Sequence, residues 1–246
     1  MLTLFVFLAL MGSAQASDYD CDRIPPALWC RHPTLIKECG WDVPCNKYLA
    51  KSKGQKIQLT VLYEALCDAC QEFITGELQK IYSKFGDKVD IELVPAGNAH
   101  FNPDGSIHCQ HLEEECKGNK YEACAIKYIK EAVPFIGCVE QDIENGLEQA
   151  VEKCFKKFQT DAGTIDNIKQ CYNSQEGEDL AKAHVTRTLN VQPDNIDNIG
   201  VPYLVFNNVS LNSIQFFEPE SEIKQWYVKS DSAKETGKKL TRKGVC

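Results

Sequence analysis

The chain has 246 residues, of which 43% are hydrophobic, and this is enough apolar material for a packed core in one or two domains. Its formal net charge of −8 excludes the basic surface by which proteins bind nucleic acids or anionic membranes. The 13 cysteines indicate that the chain folds in a compartment where disulfide bonds are stable.

The first residues predict a secretory signal. The apolar segment from Leu2 to Met11 precedes Ala14-Gln15-Ala16, which is typical of a cleavage site, so residues 1–16 are assigned to a signal peptide. This segment is too short to cross a bilayer, and no later apolar run approaches about 20 residues, so no membrane span is expected. The sequon that begins at Asn208 fits the secretory route as a glycosylation site.

Residues 17–54 predict a small cysteine-rich module. Prolines separate its cysteines and no apolar repeat is present, so two internal disulfides rather than a core are expected to hold it. A zinc site is the alternative, but the secretory route and the lack of a Cys-x-x-Cys pair favour disulfides. The spacing of Trp29-Cys30, Cys39-Gly40 and Cys45, with Cys21 before them, resembles that of the saposin A-type domain.

A strand, a cysteine pair and a helix follow this module. Lys56–Tyr63 is rich in β-branched residues and mostly alternating, which predicts a strand. Cys67 and Cys70 form a Cys-x-x-Cys pair directly before the helix, so Cys67 is expected at the helix N-terminus, where free N–H groups and the helix dipole stabilise a thiolate. One helix, ended by Gly86, is predicted from apolar residues at three- and four-residue spacing: Phe73, Ile74, Leu78, Ile81, Tyr82 and Phe85.

A second strand and a helical segment come next. The alternating segment Val89–Val94 predicts the strand, and a strand–helix–strand unit favours parallel pairing. The pattern is then helical from Cys109 to about Leu189, and Ile143–Phe158 is expected to keep one apolar helical face throughout. Three disulfides of undetermined connectivity are expected among the cysteines of this segment, which are Cys109, Cys116, Cys124, Cys138, Cys154 and Cys171.

Strand signals return after the helices. Val201–Phe206, the pair Asn207-Asn208 and Val209–Ile214 predict a hairpin, because asparagine tolerates the left-handed dihedrals of a tight turn. Proline and acidic residues from Glu218 onward predict a final helix. Residues 231–246 are expected to form a polar tail.

This order of elements predicts an α/β protein with a thioredoxin-like fold. The fold would occupy residues 55–230, and a disulfide-rich helical insertion at about residues 109–189 would separate the two halves of its sheet. The cysteine-rich module would precede it.

The segment from Cys109 to Cys124 is similar to the signature C-Q-H-G-x-x-E-C-x-x-N-x-x-x-x-C of gamma-interferon-inducible lysosomal thiol reductases. Leu112 stands where that signature has glycine, and a glycine there suggests backbone dihedrals that leucine adopts less easily. Segments around Pro95, Asn98 and Pro202 are similar too, and a saposin A-type module precedes some members of the family. The matching signature residues are Cys109, Gln110, His111, Glu115, Cys116, Asn119 and Cys124.

The resemblance implies a reductase of disulfides in unfolded proteins that works in an acidic lysosome or endosome, or after secretion. Cys67 would attack a substrate disulfide as a thiolate, and Cys70 would resolve the mixed disulfide. An ordinary thiol is only about one part in 3,000 thiolate at pH 5, so the pKa of Cys67 must be lowered strongly, against the adjacent charge of Asp68. Pro202 is expected to be cis, with the Val201 backbone holding a substrate strand. No metal or nucleotide is expected, only an external thiol reductant.

Several alternatives remain open at this point. The same cysteine pair could act as a secretory oxidase or isomerase, because direction depends on reduction potential. The chain could instead be a secreted binding protein in which Cys67 and Cys70 are structural. His108 and His111 suggest a metal site or proton donor, although a structural part in the insertion is favoured. The odd cysteine, Cys246, could link a dimer.

Overall fold

The computed structural model describes residues 33–43, 45–46, 56–191, 198–208, 219–220 and 223. The predicted signal peptide, the strand Val209–Ile214, the tail with Cys246 and most of the final helix lie outside these residues. So does the larger part of the cysteine-rich module. Predictions for those segments therefore remain predictions.

The described part of the module contains one short helix, α1 (Pro33–Glu38). Cys39 and Cys45 both form disulfide bonds, in agreement with a bridged module. Leu35, Trp41 and Cys45 are buried, and they belong to the same hydrophobic cluster as the sheet that follows. The described part of the module therefore also contributes apolar side chains to the main core, in addition to its disulfides.

A strand–helix–strand unit opens the main domain. Strand β1 (Ile57–Tyr63) leads into helices α2 (Asp68–Thr75) and α3 (Glu77–Phe85), and the chain returns in strand β2 (Val89–Pro95). The two strands pair in parallel, as predicted.

The prediction of a single helix after the cysteine pair is wrong, because two helices, α2 and α3, are separated at Gly76. Its φ of −102° and ψ of −86° are not helical, and its N–H donates to the Glu72 carbonyl at 3.0 Å. A Cβ atom at this position would lie 2.8 Å from the same carbonyl oxygen, so glycine allows the close approach. The predicted end at Gly86 is confirmed, since its N–H donates to the Tyr82 carbonyl at 3.0 Å.

A two-stranded hairpin and five helices follow β2. The hairpin pairs β3 (His100–Phe101) with β4 (Ile107–His108). The helices are α4 (Leu112–Tyr128), α5 (Ala132–Glu140), α6 (Leu147–Lys157), α7 (Ala162–Tyr172) and α8 (Gln175–Val191). The prediction of one continuous helix over Ile143–Phe158 is wrong. A 3₁₀ turn, Ile143–Asn145, is separated from α6 by Gly146, whose φ of +117° favours glycine.

The described residues of this helical segment contain the three disulfides that were expected. They join Cys109 to Cys116, Cys124 to Cys171 and Cys138 to Cys154. The last two tie α4 to α7 and α5 to α6. Cys124, Cys154 and Cys171 are completely buried, so these bonds lie within the apolar core rather than at its surface.

Strand β5 (Tyr203–Phe206) completes a three-stranded sheet in the order β2-β1-β5. It pairs antiparallel with β1, so β1 is the central strand, and all but one of its residues are buried. Asn207 and Asn208 follow it with φ values of +50° and +61°, which confirms the left-handed turn expected there. Asn208 is exposed, and its glycosylation remains a prediction. None of the helices in the described ranges combines the length and apolar character that a membrane crossing needs.

Candidate active site

The cysteine pair lies where β1 passes into α2. Cys67 is the N-cap residue of α2, and its sulfur accepts the backbone N–H of Cys70 at 3.4 Å. Cys67 is partly exposed and Cys70 is completely buried, and both are free thiols. This is the arrangement expected of an attacking thiol and a resolving thiol.

The two thiols differ in acidity. The hydrogen bond from the Cys70 side chain, helped by the backbone N–H groups of Cys70 and Ala69, lowers the pKa of Cys67 to about 7, although partial burial and the Glu64 carboxylate act against it. Burial, and then the hydrogen bond to Cys67, raise the pKa of Cys70 far above its usual range. At pH 5 a thiol with a pKa of about 7 is about 1% thiolate, which is some thirty times more than an ordinary cysteine provides.

The predicted proline loop faces this pair. The peptide bond between Val201 and Pro202 is cis, as expected. The carbonyl oxygen of Val201 lies 4.0 Å from the Cys67 sulfur, so the loop before β5 and the N-terminus of α2 meet at the reactive atom. Val201 and Pro202 are both partly exposed, and their contact with substrate remains a prediction.

A buried carboxylate lies beside the thiols. Glu64 follows β1 directly, and its backbone carbonyl accepts the N–H of Cys67 at 3.3 Å, so the two residues share one turn. Its side chain is only 1% exposed, and one carboxylate oxygen accepts the backbone N–H of Asn98 at 2.7 Å and the Asn98 side-chain amide at 2.9 Å. Burial, together with the nearby Glu115 carboxylate, raises the pKa of Glu64, although the bonds from Asn98 oppose the rise.

The signature residues converge on this turn. The other oxygen of Glu64 lies 3.4 Å from Nδ1 of His111, and the same nitrogen makes a short hydrogen bond with the buried carboxylate of Glu115. The side-chain carbonyl of Asn119 accepts the N–H of Ala65 at 3.0 Å, and its amide faces Glu115 at 3.4 Å. The signature thus fixes the backbone that carries Cys67 into α2.

Asn98 connects this turn to two further segments. Its amide donates to the side chain of Gln110 at 2.9 Å, and its carbonyl accepts the N–H of Ile199 at 2.7 Å. Ile199 lies just before the cis-proline loop. One side chain therefore links the Glu64 turn, the signature segment and the loop that faces Cys67.

The two histidines considered from the sequence lie in different places. His111 belongs to the carboxylate cluster, and its hydrogen bond with Glu115 raises its pKa. His108 is on β4, where its ring lies 4.9 Å from that of His100. The pair His108 and His111 therefore does not form the metal site that their spacing suggested.

Within the described ranges, one group of side chains lies close enough to consider a metal ion: Glu64, His111 and Glu115, whose ligand atoms all lie within 4.8 Å of one another. In this structure the His111 Nδ1 makes a hydrogen bond with Glu115 and lies near Glu64, so the three side chains form a proton-linked network.

A second acidic group is buried beneath the sheet. The Tyr63 hydroxyl donates to Glu122 at 2.6 Å, and Glu140 lies beside Glu122 with almost no exposure. Burial raises the pKa of Glu122 to about 7 and that of Glu140 well above its usual range, since two buried carboxylates do not ionise together easily.

Leu112 occupies the position where the signature has glycine. Its φ is +66°, so the expectation that this position requires unusual dihedrals is confirmed. The side chain is 70% exposed at the start of α4, and leucine at such a φ costs about 1–2 kcal/mol relative to glycine.

Glu64 is a site residue that was not predicted from the sequence. A charged residue that directly follows the apolar run Val61-Leu62-Tyr63, three positions before a Cys-x-x-Cys pair, is a signal that could have identified it. Glu122 and Glu140 gave no such signal, because they look like ordinary polar positions of surface helices. Only the packing of α4 and α5 against the sheet shows that both are buried.

A cleft of about 430 Å³ lies next to the site, not at the thiols. It runs between the β3–β4 hairpin, α4 and α8, and the Cys109–Cys116 disulfide forms part of its wall. Neither Cys67 nor Cys70 lines it. The partly exposed Cys67 lies outside this cleft, with its sulfur near the carbonyl oxygen of Val201.

The fold and the site together define a thiol–disulfide oxidoreductase of the thioredoxin-like class. Its features are a parallel strand pair that includes the central strand β1, a Cys-x-x-Cys at a helix N-terminus and a cis-proline opposite it.

A family model described as gamma interferon inducible lysosomal thiol reductase matches residues 58–158. The chain is 31% identical over 176 residues to GILT-like protein 2 of Drosophila melanogaster, covering 69% of this chain and 79% of that protein. It is 35% identical over 168 residues to the gamma-interferon-responsive lysosomal thiol protein of Arabidopsis thaliana, covering 67% of each. The chain belongs to the gamma-interferon-inducible lysosomal thiol reductase family.

Solved structures with similar folds include two DsbA proteins. That of Chlamydia trachomatis is 19% identical, with a TM-score of 0.49, and the match covers 70% of this chain and 87% of that one. That of Pseudomonas aeruginosa is 13% identical, with a TM-score of 0.47, and the match covers 75% and 88%.

Proposed function

We propose that the chain reduces disulfide bonds of unfolded proteins in an acidic compartment of the secretory or lysosomal route. The observation that carries the proposal is the partly exposed Cys67 sulfur, which caps α2 above a completely buried Cys70. The family to which the chain belongs supports both the reaction and the lysosomal or endosomal destination. Secretion remains the alternative destination.

The reaction runs in two exchanges. The Cys67 thiolate attacks one sulfur of the substrate disulfide, so that a mixed disulfide forms while the other substrate sulfur leaves as a thiolate and takes a proton from water. Cys70 then gives its proton to solvent and attacks the Cys67 sulfur, which releases the second substrate sulfur as a thiolate that takes up a proton and leaves Cys67 and Cys70 joined. Two electrons have passed to the substrate, and two equivalents of a small external thiol, which become a disulfide, restore the reduced pair. No metal or nucleotide takes part.

The acidity of Cys67 favours reduction over oxidation. A Cys-x-x-Cys protein whose attacking thiol has a very low pKa is an oxidant, because its reduced form is stabilised; in DsbA this pKa is about 3.5. In thioredoxin, which is a reductant, the pKa of the attacking thiol is about 7. The pKa of Cys67 is about 7. A pKa lowered only to about 7 fits a reductant better than a strong oxidant, and the reduction potential of the pair, measured against glutathione, distinguishes the two directions.

The experiment measures thiol-dependent reduction of a denatured disulfide-bonded protein at pH 5 and at pH 7, for the parent chain and for Cys67→Ser. Activity at pH 5 that disappears in Cys67→Ser supports the proposal. Full activity in Cys67→Ser would refute the assignment of the nucleophile. Activity confined to pH 7 would keep the chemistry but remove the acidic compartment from the proposal.

A further inference from the structure

Glu64 places negative charge next to the sulfur that has to become a thiolate. The two residues share a turn through the 3.3 Å bond from the Cys67 N–H to the Glu64 carbonyl. The Glu64 carboxylate is 1% exposed, so water screens it poorly. The negative charge of Glu64 disfavours ionisation of the Cys67 thiol, because the thiolate would carry the same charge.

His111 lies between Glu64 and a second buried carboxylate. Its Nδ1 is 3.4 Å from Glu64 and in a short hydrogen bond with Glu115, whose side chain is 0% exposed. The His111 backbone N–H also donates to Glu115 at 3.0 Å, which fixes the ring at the start of α4. The imidazole itself is 42% exposed, so it can take up a proton from solvent.

We propose that His111 is a positioning residue for the Cys67 thiolate: as an imidazolium between Glu64 and Glu115, it offsets part of the negative charge of these two carboxylates and so weakens the repulsion that opposes ionisation of Cys67. This role rests on the proposed function, in which Cys67 attacks as a thiolate. His111 does not touch the substrate disulfide in this scheme and gives up no proton during the exchange.

The other titratable groups around the sulfur do not replace His111. Cys70, from α2, donates a hydrogen bond to Cys67 and keeps its own proton because it is buried. Glu140, from α5, is a further carboxyl group near Cys67, and burial raises its pKa well above the usual range, which favours its uncharged form. Within the described residues, the ion pair of Glu64 is made with His111. The network of Asn98 and Asn119 around it is neutral.

The test is the pH dependence of Cys67 alkylation by iodoacetamide, since this reagent reports the thiolate directly. In His111→Gln the charge of Glu64 is no longer balanced, so the midpoint of alkylation should rise by about one pH unit and the rate at pH 6 should fall about tenfold. In Glu64→Gln the opposing charge is gone, so the midpoint should fall below that of the parent chain. A damaged fold does not make a thiol more acidic, so this second variant keeps the test decisive if His111→Gln folds poorly.

The double variant His111→Gln/Glu64→Gln separates electrostatics from structure. Because Glu64 is the charge that His111 balances, its removal should restore the midpoint of the double variant to near the parent value. A midpoint that stays as high as in His111→Gln would overturn the proposal, and so would a Glu64→Gln midpoint equal to or above the parent value. His108→Gln on β4 is the matched control and should leave the midpoint unchanged.

The outcome is independent of the test of function. Alkylation is measured on the chain without substrate, whereas the proposed function stands or falls with Cys67-dependent reduction of a disulfide. If reduction failed while the alkylation shifts appeared, the role of His111 in thiol acidity would stand and the reductase assignment would fall.

Discussion

Gly97 lies so close to the Glu64 side chain that no side chain at position 97 fits without a shift. A Cβ atom built on Gly97 would lie 2.3 Å from Cγ of Glu64 and 2.5 Å from its Oε1. Gly97 also has a φ of +49°, which other residues seldom adopt. The next residue, Asn98, holds the same carboxylate, so this glycine determines where the charge beside Cys67 lies.

We expect Gly97→Ala to destabilise the chain by about 2–4 kcal/mol, because the dihedral strain adds to the overlap with Glu64. Gly105→Ala is the matched control: its φ is +83°, but nothing lies within 4 Å of the added Cβ atom. It should cost only about 1–2 kcal/mol from the dihedral. Urea denaturation of both variants makes the comparison. Equal losses would show that Glu64 moves aside without penalty.

Residues of the candidate site were predictable to different degrees. Cys67 and Cys70 follow from a strand–Cys-x-x-Cys–helix pattern whose spacing allows few arrangements, and Pro202 follows from the fold that the whole order of elements predicts. Asn98 and Glu115 were indicated only by the family resemblance. The role of Asn98 depends on a hydrogen bond to a residue more than 30 positions away, and that of Glu115 depends on its burial near the start of a helix. No local periodicity carries such information.

At the scale of elements, apolar periodicity predicted type and order well but not continuity. Both helices that were expected to be unbroken are interrupted at a glycine, Gly76 and Gly146. The apolar spacing continues across each break, so the pattern of residues alone does not show it. The breaks arise where glycine permits a backbone that other residues disfavour, and tertiary packing then decides whether it is used.

The three disulfides described in the helical segment differ in their exposure. Cys116 is partly exposed, and its bond with Cys109 closes a loop with a sequence separation of 7. The sulfurs of the Cys124–Cys171 and Cys138–Cys154 bonds belong to residues that are at most 4% exposed. Thiols attack a disulfide only where it can be reached, so the buried pairs require local unfolding first.

Under mild thiol treatment of the folded chain we expect the Cys109–Cys116 bond to open first, at least about tenfold faster than the two buried bonds. Alkylation after graded reduction, followed by peptide mass mapping, measures the order. In denaturant the three bonds should open at similar rates, which is the control. Labelling of Cys138 or Cys171 before Cys116 in the folded chain would contradict the expectation.

For the molecule as a whole, the buried acids determine how stability depends on pH. Glu122, with a pKa of about 7, and Glu140, whose pKa burial raises further, bind protons in the folded chain that they release on unfolding above about pH 4.5. Groups with raised pKa values stabilise the fold fully at low pH and lose this contribution as pH rises through the folded values. His184 has the opposite effect, because burial lowers its pKa to about 4 and acid therefore destabilises the fold through this residue. This effect is confined to pH values below about 6.5, the pKa of an ordinary histidine.

Between pH 6 and pH 8 the groups with raised pKa values therefore determine how stability changes with pH. We expect the free energy of unfolding to fall by about 1–3 kcal/mol over this range. Urea denaturation of Cys67→Ser is the suitable measurement, since this background removes both the titration of Cys67 and its attack on the disulfides at pH 8. Adding Glu140→Gln should flatten the dependence, because an amide does not titrate, whereas Glu144→Gln at an exposed position should leave it unchanged. A free energy that rises from pH 6 to pH 8, or a slope that Glu140→Gln does not alter, would show that the buried acids are not the cause. A fall would show that the fold is more stable on the acidic side of neutrality, as the proposed acidic compartment requires.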